Sequence, residues 1–238
     1  MRNVLAIVRK ELKTYFNSPI AYIFMIVFLT LSSWLFFRGF FLIGQAEMRP
    51  FFSLMPWLFL FFIPALTMRL WAEERKLGTV EILMTLPVKD WELVMGKFLA
   101  GFILLCITLL LTFPLPVAVA ALGDPDPGPL IGGYLGTVLM GAAYMAIGLF
   151  ASTITENQII AFIVGVVFCF AMLIVGEEIV LFSVPDFLAP LFRYLGLGVH
   201  FSSIGRGVLD SRDIVYYLSV IGFFLYMCVH TIEGRRWR

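Results

Sequence analysis

Six long apolar runs dominate this sequence and constrain its fold more than any other feature. The runs cover residues 19–44, 51–70, 95–122, 130–155, 158–178 and 213–232. Because a helix needs about 20 apolar residues to cross the hydrocarbon core of a bilayer, each run is predicted to span a membrane. The runs lack the alternation of polar and apolar residues that marks membrane β-strands. The sequence therefore predicts an all-α polytopic membrane protein with six transmembrane helices, folded as a single domain over residues 1–238.

The composition excludes an ordinary soluble domain. Apolar residues make up 61% of the chain and charged residues only 14%, and the mean hydropathy is +0.97, far from the balance of a water-soluble protein. The net charge of +1 gives no reason to expect a nucleic-acid partner. All 3 cysteines fall inside apolar runs without the spacing of metal ligands, so we expect them to act as small packing residues.

The sequence carries none of the motifs of hydrolytic enzymes. Its 2 histidines are His200 and His230, and neither an HExxH nor a GxSxG motif is present. Gly96-Lys97 resembles the end of a phosphate-binding loop, but Phe98 stands where that loop requires Ser or Thr. We therefore predict no catalytic residue, no metal site and no bound nucleotide in this chain.

Positive charges are distributed unevenly between the two predicted sides of the membrane. With six spans both termini lie on one side, and 12 of the 17 Lys and Arg residues fall on that side. The others are Arg38, Arg49, Arg193, Arg206 and Arg212. Because cytoplasmic segments carry an excess of Lys and Arg, both termini and residues 69–97 are predicted to be cytoplasmic.

The N-terminal residues 1–17 predict an amphipathic helix at the membrane surface. Its two faces are formed by Leu5, Val8, Leu12 and Tyr15 on the apolar side and by Arg2, Arg9 and Lys13 on the charged side. A basic amphipathic helix of this kind lies in the membrane interface with its cations toward anionic headgroups. A frayed polar tail is the alternative interpretation.

Prolines and glycines predict where the spans bend and where they pack closely. Interruptions are expected at Pro56 and Pro64 in the second run and at Pro114 and Pro116 in the third. The fourth run is rich in Gly and Ala and includes a GxxxG pair at Gly132 and Gly136. Such small residues allow close contact between helices, either within the chain or, as a weaker alternative, between two copies.

The end of the fifth run and the residues after it predict an unusual outer segment. Glu177 and Glu178 are adjacent carboxylates at the predicted outer boundary, so they form either a solvated helix end or part of an outer gate. Residues 179–212 contain too many Pro and Gly residues for a full span and are too apolar for an ordinary loop. We expect short re-entrant helices in the outer leaflet.

A polar segment, residues 72–92, separates the second and third runs. A charged stretch ends at Lys76, Gly78-Thr79 can break the helix, and Pro87 ends the apolar stretch 80–86. A short amphipathic helix at 80–86 would suit docking into a groove on a soluble partner. A solvated loop is the alternative.

Two stretches of the sequence resemble a known family. The run EERKLGTVEILMTLPVKDWELVMGKFLAG resembles the E-x(3–4)-G-T-x-E-x-L-x-x-x-P pattern that ABC-2 type transporter permeases carry between their second and third spans. The N-terminal IVRKELKTYFNSPIAY is similar to the gliding-motility permeases within that family. The resemblance extends over the whole chain, including its length, its six spans and its broken outer segment.

The resemblance implies a permease subunit of an exporter, located in a bacterial or archaeal inner membrane. Its stretch 80–86 would be a coupling helix seated on a separate ATPase subunit. ATP and Mg²⁺ would bind to that ATPase, with no cofactor in this chain. The implied partners are the ATPase, a second identical or homologous permease, the lipid bilayer and an auxiliary extracytoplasmic protein. The implied ATPase-coupling residues are Glu73, Glu74, Arg75, Gly78, Thr79 and Glu81.

Two other functions stay open at this stage. The chain could be a permease-like membrane anchor that transmits the state of an ATPase to an extracytoplasmic partner without moving a solute. It could also be a self-sufficient secondary transporter or channel, although the scarcity of charges within the spans counts against ion-coupled transport.

Overall fold

The computed structural model describes residues 2–79, 88–208 and 210–236, and the regular structure in this part of the chain is helical. Its helices are α1 (Arg2–Asn17), α2 (Pro19–Ile43), α3 (Arg49–Thr67), α4 (Arg69–Lys76), α5 (Asp90–Leu110), α6 (Pro114–Leu122), α7 (Pro127–Ile154), α8 (Gln158–Ile174), α9 (Glu178–Leu181), α10 (Ala189–Leu195), α11 (Leu197–Gly205) and α12 (Ser211–Arg236). The predicted all-α fold is confirmed.

Five helical stretches are long and apolar enough to cross a membrane. They are Pro19–Leu42, Arg49–Lys76, Asp90–Leu122, Pro127–Ile154 and Ser211–Gly234. Helix α8 is apolar but only 17 residues long, which is at the short limit for a membrane-spanning helix. The chain is thus a multi-pass helical membrane protein, and the sixth crossing stays a prediction.

Helix α7 forms the centre of the bundle, with α3, α5, α8, α11 and α12 packed around it. Its glycines make this crowding possible. A methyl group added at Gly133 would lie 2.2 Å from the Phe52 ring, and one at Gly148 would lie 2.2 Å from Thr67 Oγ1. Small residues therefore bring α3 against α7 along most of their length.

The GxxxG pair of α7 packs within the chain. A methyl group at Gly132 would lie 2.4 Å from the carbonyl oxygen of Ile204, and one at Gly136 would lie 3.2 Å from the Ile204 side chain. Both glycines thus contact α11. This contact within the chain accounts for the GxxxG motif without a second copy.

The prolines behave differently in the two predicted spans. Helix α3 continues through Pro56 and Pro64 and ends only at Thr67, so neither proline breaks the helix, and a bend at these positions stays a prediction. The predicted break in the third run is confirmed, because α5 ends at Leu110 and α6 begins at Pro114. Thr112 lies in this break, where its hydroxyl donates to the Leu109 carbonyl at 2.6 Å and contacts the Tyr134 hydroxyl at 3.0 Å.

Helix α1 is formed as predicted, but its apolar face is rotated from the predicted one. Leu5 is 71% exposed, whereas Glu11, assigned to no apolar face, is buried beside Val8 and Tyr15. This face packs on α5, with Ile7 directly over Gly96, where a methyl group would lie 2.5 Å away. Part of the surface predicted to face the membrane therefore faces protein, and the interfacial placement of α1 stays a prediction.

The segment between α8 and α12 contains the short helices that its sequence predicts. Helices α9, α10 and α11 follow one another, and α11 packs on α7, α8 and α12. Their depth in the outer leaflet stays a prediction.

Candidate coupling site

The junction between α3 and α4 is held by a single hydroxyl from α7. The helix breaks at Met68, which leaves the first backbone N–H groups of α4 without acceptors in their own helix. Ser152 Oγ accepts from the N–H groups of Trp71 and Ala72 at 3.0 and 3.1 Å and donates to the Met68 carbonyl at 2.9 Å. This serine fixes the start of α4 against the C-terminal end of α7.

Lys97 lies at the centre of a buried charge cluster, the Lys97 cluster, formed with Lys10, Glu11 and Glu74. The Lys97 side chain is 1% exposed, and its Nζ lies 2.8 Å from Glu74 Oε2 and 3.2 Å from Glu11 Oε1. The same nitrogen donates to the Leu70 carbonyl at 2.8 Å. Because a buried ammonium is stable only when it is paired and hydrogen-bonded, this cluster fixes the positions of α1, α4 and α5.

Lys10 completes the Lys97 cluster at its exposed edge. Its Nζ lies 3.2 Å from Glu74 Oε1 and 3.4 Å from Glu11 Oε1. Partial burial lowers the pKa of Lys10, but the two carboxylates outweigh this and raise the pKa above its ordinary value. Two lysines thus face two carboxylates, and the cluster is electrically balanced.

Arg75 and Glu73 extend the polar network from α4. Arg75 donates to the Thr153 carbonyl at 2.8 Å and to Glu156 Oε1 at 2.9 Å, at the C-terminal end of α7. Glu73 forms an ion pair with Arg69, four residues earlier, at 3.1 Å. Helix α4 is therefore tied to α7 by both Ser152 and Arg75.

Gly78 and Thr79 end α4 in the way their sequence predicts. Gly78 has a φ of +67°, a left-handed conformation that glycine adopts without strain and that commonly ends helices. Its N–H donates to the Arg75 carbonyl at 3.1 Å, and Thr79 Oγ1 donates to the Glu74 carbonyl at 3.1 Å. The chain thus changes direction immediately before the stretch 80–86.

The predicted coupling helix at 80–86, including Glu81, lies outside the described residues, so its structure and contacts stay predictions. The chain on its C-terminal side begins α5 with a hydrogen-bonded cap. Glu92 Oε2 accepts from the backbone N–H of Lys89 and from Asn3 Nδ2 of α1, both at 3.1 Å. Helix α1 is therefore joined to α5 at a second point.

The two predicted outer-gate carboxylates have different surroundings. Glu177 precedes α9 and has a carboxylate oxygen beside Gly198 in α11, where a methyl group would lie 2.9 Å from it. Glu178, the first residue of α9, lines a cavity of about 940 Å³ between the short helices. The two side chains thus do not form one site, and their role in a gate stays a prediction.

A buried His–Asp pair joins the short helix α11 to α12. His200 Nδ1 lies 2.6 Å from Asp213 Oδ1, and its Nε2 lies 2.9 Å from the Tyr194 carbonyl. A carbonyl only accepts, so Nε2 carries a proton, and one further proton must lie between Nδ1 and Oδ1. The Tyr216 ring stacks on His200 with centroids 3.9 Å apart.

Five of the predicted coupling residues lie close together at the end of α4: Glu73, Glu74 and Arg75 are in its last turn, and Gly78 and Thr79 follow directly after it. Their partners within the described residues were not predicted. These partners are Lys10, Arg69, Lys97, Thr153 and Glu156. Chemically, the arrangement holds charges and backbone groups in fixed positions, and the described residues contain no cluster of side chains that could ligate a metal ion.

The fold and the site define a class of protein before any comparison is made. The chain is a helical, multi-pass membrane protein in which a motif-bearing charge cluster ties together the ends of several helices. A family model described as "ABC-2 family transporter protein" matches residues 10–232, nearly the whole chain. The chain belongs to the ABC-2 transporter family and is therefore a membrane transport subunit, in a family whose ATPase is a separate subunit. No curated protein sequence matches the chain significantly.

Proposed function

We propose that this chain is the permease subunit of an ATP-driven exporter, with six spans and both termini in the cytoplasm of a bacterial or archaeal cell. Two permease subunits would line the path, and an ATPase would press on residues 80–86 of each. The resemblance of the N-terminal residues supports a place in the gliding-motility subgroup, where an auxiliary extracytoplasmic protein would be a further partner.

The Lys97 cluster is the observation that carries this proposal. Residues 80–86 are joined on one side to α4 and on the other to α5, and both helices are tied to α1 through Lys97. Helix α4 is also tied to α7 through Ser152 and Arg75. A displacement of 80–86 would therefore move the cytoplasmic ends of four helices together.

This arrangement divides the motif into two roles. Glu74 and Arg75 have partners in this chain, so we assign them to transmitting the displacement. Glu81 is the motif acid nearest the middle of the proposed contact with the ATPase, so we assign it to the surface of this chain that binds the ATPase. Gly78 would set the angle at which the chain enters that surface, since its φ is +67°.

The proposal is tested with the chain and its ATPase expressed together and purified in lipid nanodiscs. Glu81→Lys should reduce co-purification of the ATPase, because a misplaced charge at an interface can cost several kcal/mol. Gly78→Val should keep the ATPase bound but lower its permease-dependent ATP hydrolysis, because a β-branched residue is strained at this φ. Gly78→Asn is the matched control, since asparagine tolerates the left-handed conformation.

Lys76→Gln is a second control, because this neighbouring side chain is exposed at the end of α4. Both controls should co-purify with the ATPase and stimulate it as the wild type does. Wild-type co-purification and ATP hydrolysis for both Glu81→Lys and Gly78→Val would reject the assignment of 80–86 as the coupling helix.

A further inference from the structure

The cavity between the short helices has no assigned role. Its volume is about 940 Å³, and it is lined by residues of α9, α10, α11 and the first turn of α12. Four lining residues lie on α11 or directly after its end, at spacings of three, one and three residues: Val199, Ser202, Ser203 and Arg206. They therefore share one helical face. The short helices thus present polar groups to a common space large enough for a ligand.

Four charged side chains in this cavity have no protein partner among the residues that the structure describes. Arg193 and Arg206 supply two guanidinium groups, and Glu178 and Asp186 supply two carboxylates. None of the four forms a side-chain hydrogen bond or an ion pair with another residue in the part of the chain that the structure describes. The cavity therefore offers two positive and two negative groups to an occupant, with no net charge of its own.

The His200–Asp213 pair does not change this balance. Both residues line the cavity, and they lie 2.6 Å apart with one proton between them. Whether that proton lies on the imidazole or on the carboxyl group, the pair is neutral as a whole. A zwitterion with separated positive and negative groups therefore complements the cavity better than a simple anion or cation.

Large apolar side chains surround this polar cavity on the outside of the molecule. Ile179, Phe182 and Phe187 are 80%, 90% and 79% exposed, and Leu181 and Phe182 also line the cavity. Exposed apolar side chains beside a charged space are typical of a surface at the boundary between hydrocarbon and headgroups. The occupant should therefore combine a zwitterionic group with apolar chains.

We propose that this cavity binds the headgroup of a zwitterionic phospholipid that carries a primary amine. Arg193 and Arg206 bind the phosphate, since guanidinium groups match phosphate oxygens in geometry and charge. Glu178 and Asp186 accept hydrogen bonds from the ammonium group. The acyl chains lie along Phe182 and the neighbouring apolar surface.

This inference goes beyond the proposed function, and its test needs neither the ATPase nor transport. The full chain is purified in detergent, stripped of lipid and titrated with phosphatidylethanolamine, phosphatidylcholine or phosphatidylglycerol while native mass spectrometry measures the bound lipid. Phosphatidylethanolamine should bind at least about tenfold more tightly than phosphatidylcholine, whose quaternary ammonium cannot donate a hydrogen bond. Phosphatidylglycerol, which has no ammonium group, should also bind more weakly.

Two double variants test the assigned groups. Arg193→Gln/Arg206→Gln should weaken the binding of all three lipids at least about tenfold, because each depends on its phosphate. Glu178→Gln/Asp186→Asn leaves the cavity positively charged, so the preference should change to phosphatidylglycerol. All four side chains are exposed, so the variants should keep the wild-type melting temperature. The single variants Arg206→Gln and Glu178→Gln should change lipid binding in the same direction as the corresponding double variants.

Arg212→Gln is the matched control, since Arg212 is exposed near the cavity but does not line it. It should bind the three lipids as the wild type does. An unchanged order of preference in both double variants, or a wild-type protein that does not prefer phosphatidylethanolamine, would overturn the proposal. Displacement of the lipid by equimolar free phosphoethanolamine would overturn the assignment of a lipid and indicate a soluble ligand with the same headgroup.

Discussion

The two ends of α7 are organised in opposite ways. At its C-terminal end, Lys97 is 1% exposed and paired with Glu11 and Glu74. Near its N-terminal end, about 40 Å away by the rise of a 28-residue helix, Arg193 and Arg206 line a cavity without an ion-pair partner in the described residues. Paired and buried charges fix helices relative to each other, whereas unpaired charges in a cavity remain available to a ligand. The comparison indicates that one end holds the chain together and the other meets molecules outside it.

The largest expected effect tests the paired end. Lys97→Met leaves Glu11 and Glu74 without their buried cation, so it should destabilise the protein by about 3–5 kcal/mol. The melting temperature of the purified chain measures this loss. Adding Glu11→Gln and Glu74→Gln should recover much of it, because the uncompensated carboxylates are then removed. If Lys97→Met lowers the melting temperature no more than Arg206→Gln does, the comparison between the two ends is wrong.

The His200–Asp213 pair tests whether the outer end also contains a fixed element. His200→Phe keeps a ring against Tyr216 but leaves Asp213 buried without its partner, which should cost about 3 kcal/mol, toward the upper part of the range for such groups. Thermal unfolding of the purified variant provides the measurement. His200→Phe/Asp213→Leu should be more stable than His200→Phe alone; an equally unstable double variant would show that the pair contributes through packing only.

A smaller effect is expected from the close contact of α7 with α11. Gly132→Ala places a methyl group 2.4 Å from the Ile204 carbonyl, so the backbone must shift at a cost of about 2 kcal/mol. Gly205→Ala, in α11 itself, meets nothing within 4 Å and should be neutral or slightly stabilising. The two melting temperatures are compared directly, and equal values would contradict the close packing.

The smallest expected effect concerns the exposed edge of the Lys97 cluster. Lys10 has a side chain that is 56% exposed, and exposed ion pairs contribute about 1 kcal/mol or less. Lys10→Gln should therefore change the melting temperature far less than Lys97→Met, although both lysines contact the same two carboxylates. Similar losses from the two variants would show that burial is not what distinguishes them.

Much of the fold follows from the sequence because apolar runs and helix-ending residues act locally. The helical stretches, the break before Pro114, the turn at Gly78 and the short outer helices all depend on residues close in the chain. The uninterrupted helix at Pro56 and Pro64 does not follow from the local sequence, because neighbouring helices can support a proline within a span.

The buried partners were harder to predict because they depend on contacts between distant residues. Glu11 is polar, so the sequence does not place it on the apolar face of α1, although it is flanked by Val8, Leu12 and Tyr15. Lys97 stands at the edge of an apolar run, and a charge in such a position usually has a partner; this signal could have linked the two residues. Nothing in the sequence marks Ser152 in this way, because its hydrogen bonds form only when α7 packs beside the helix break at Met68.

The hydrogen bonds of Ser152 to the start of α4 affect the order in which the fold can form during synthesis. Trp71 and Ala72 lie about 80 residues before Ser152, which supplies the acceptor for their N–H groups. The ribosome therefore releases the start of α4 well before α7 exists to support it. Until the fourth run has entered the membrane, the junction that precedes 80–86 lacks this support. A nascent chain would thus complete this junction only after most of its spans are in place.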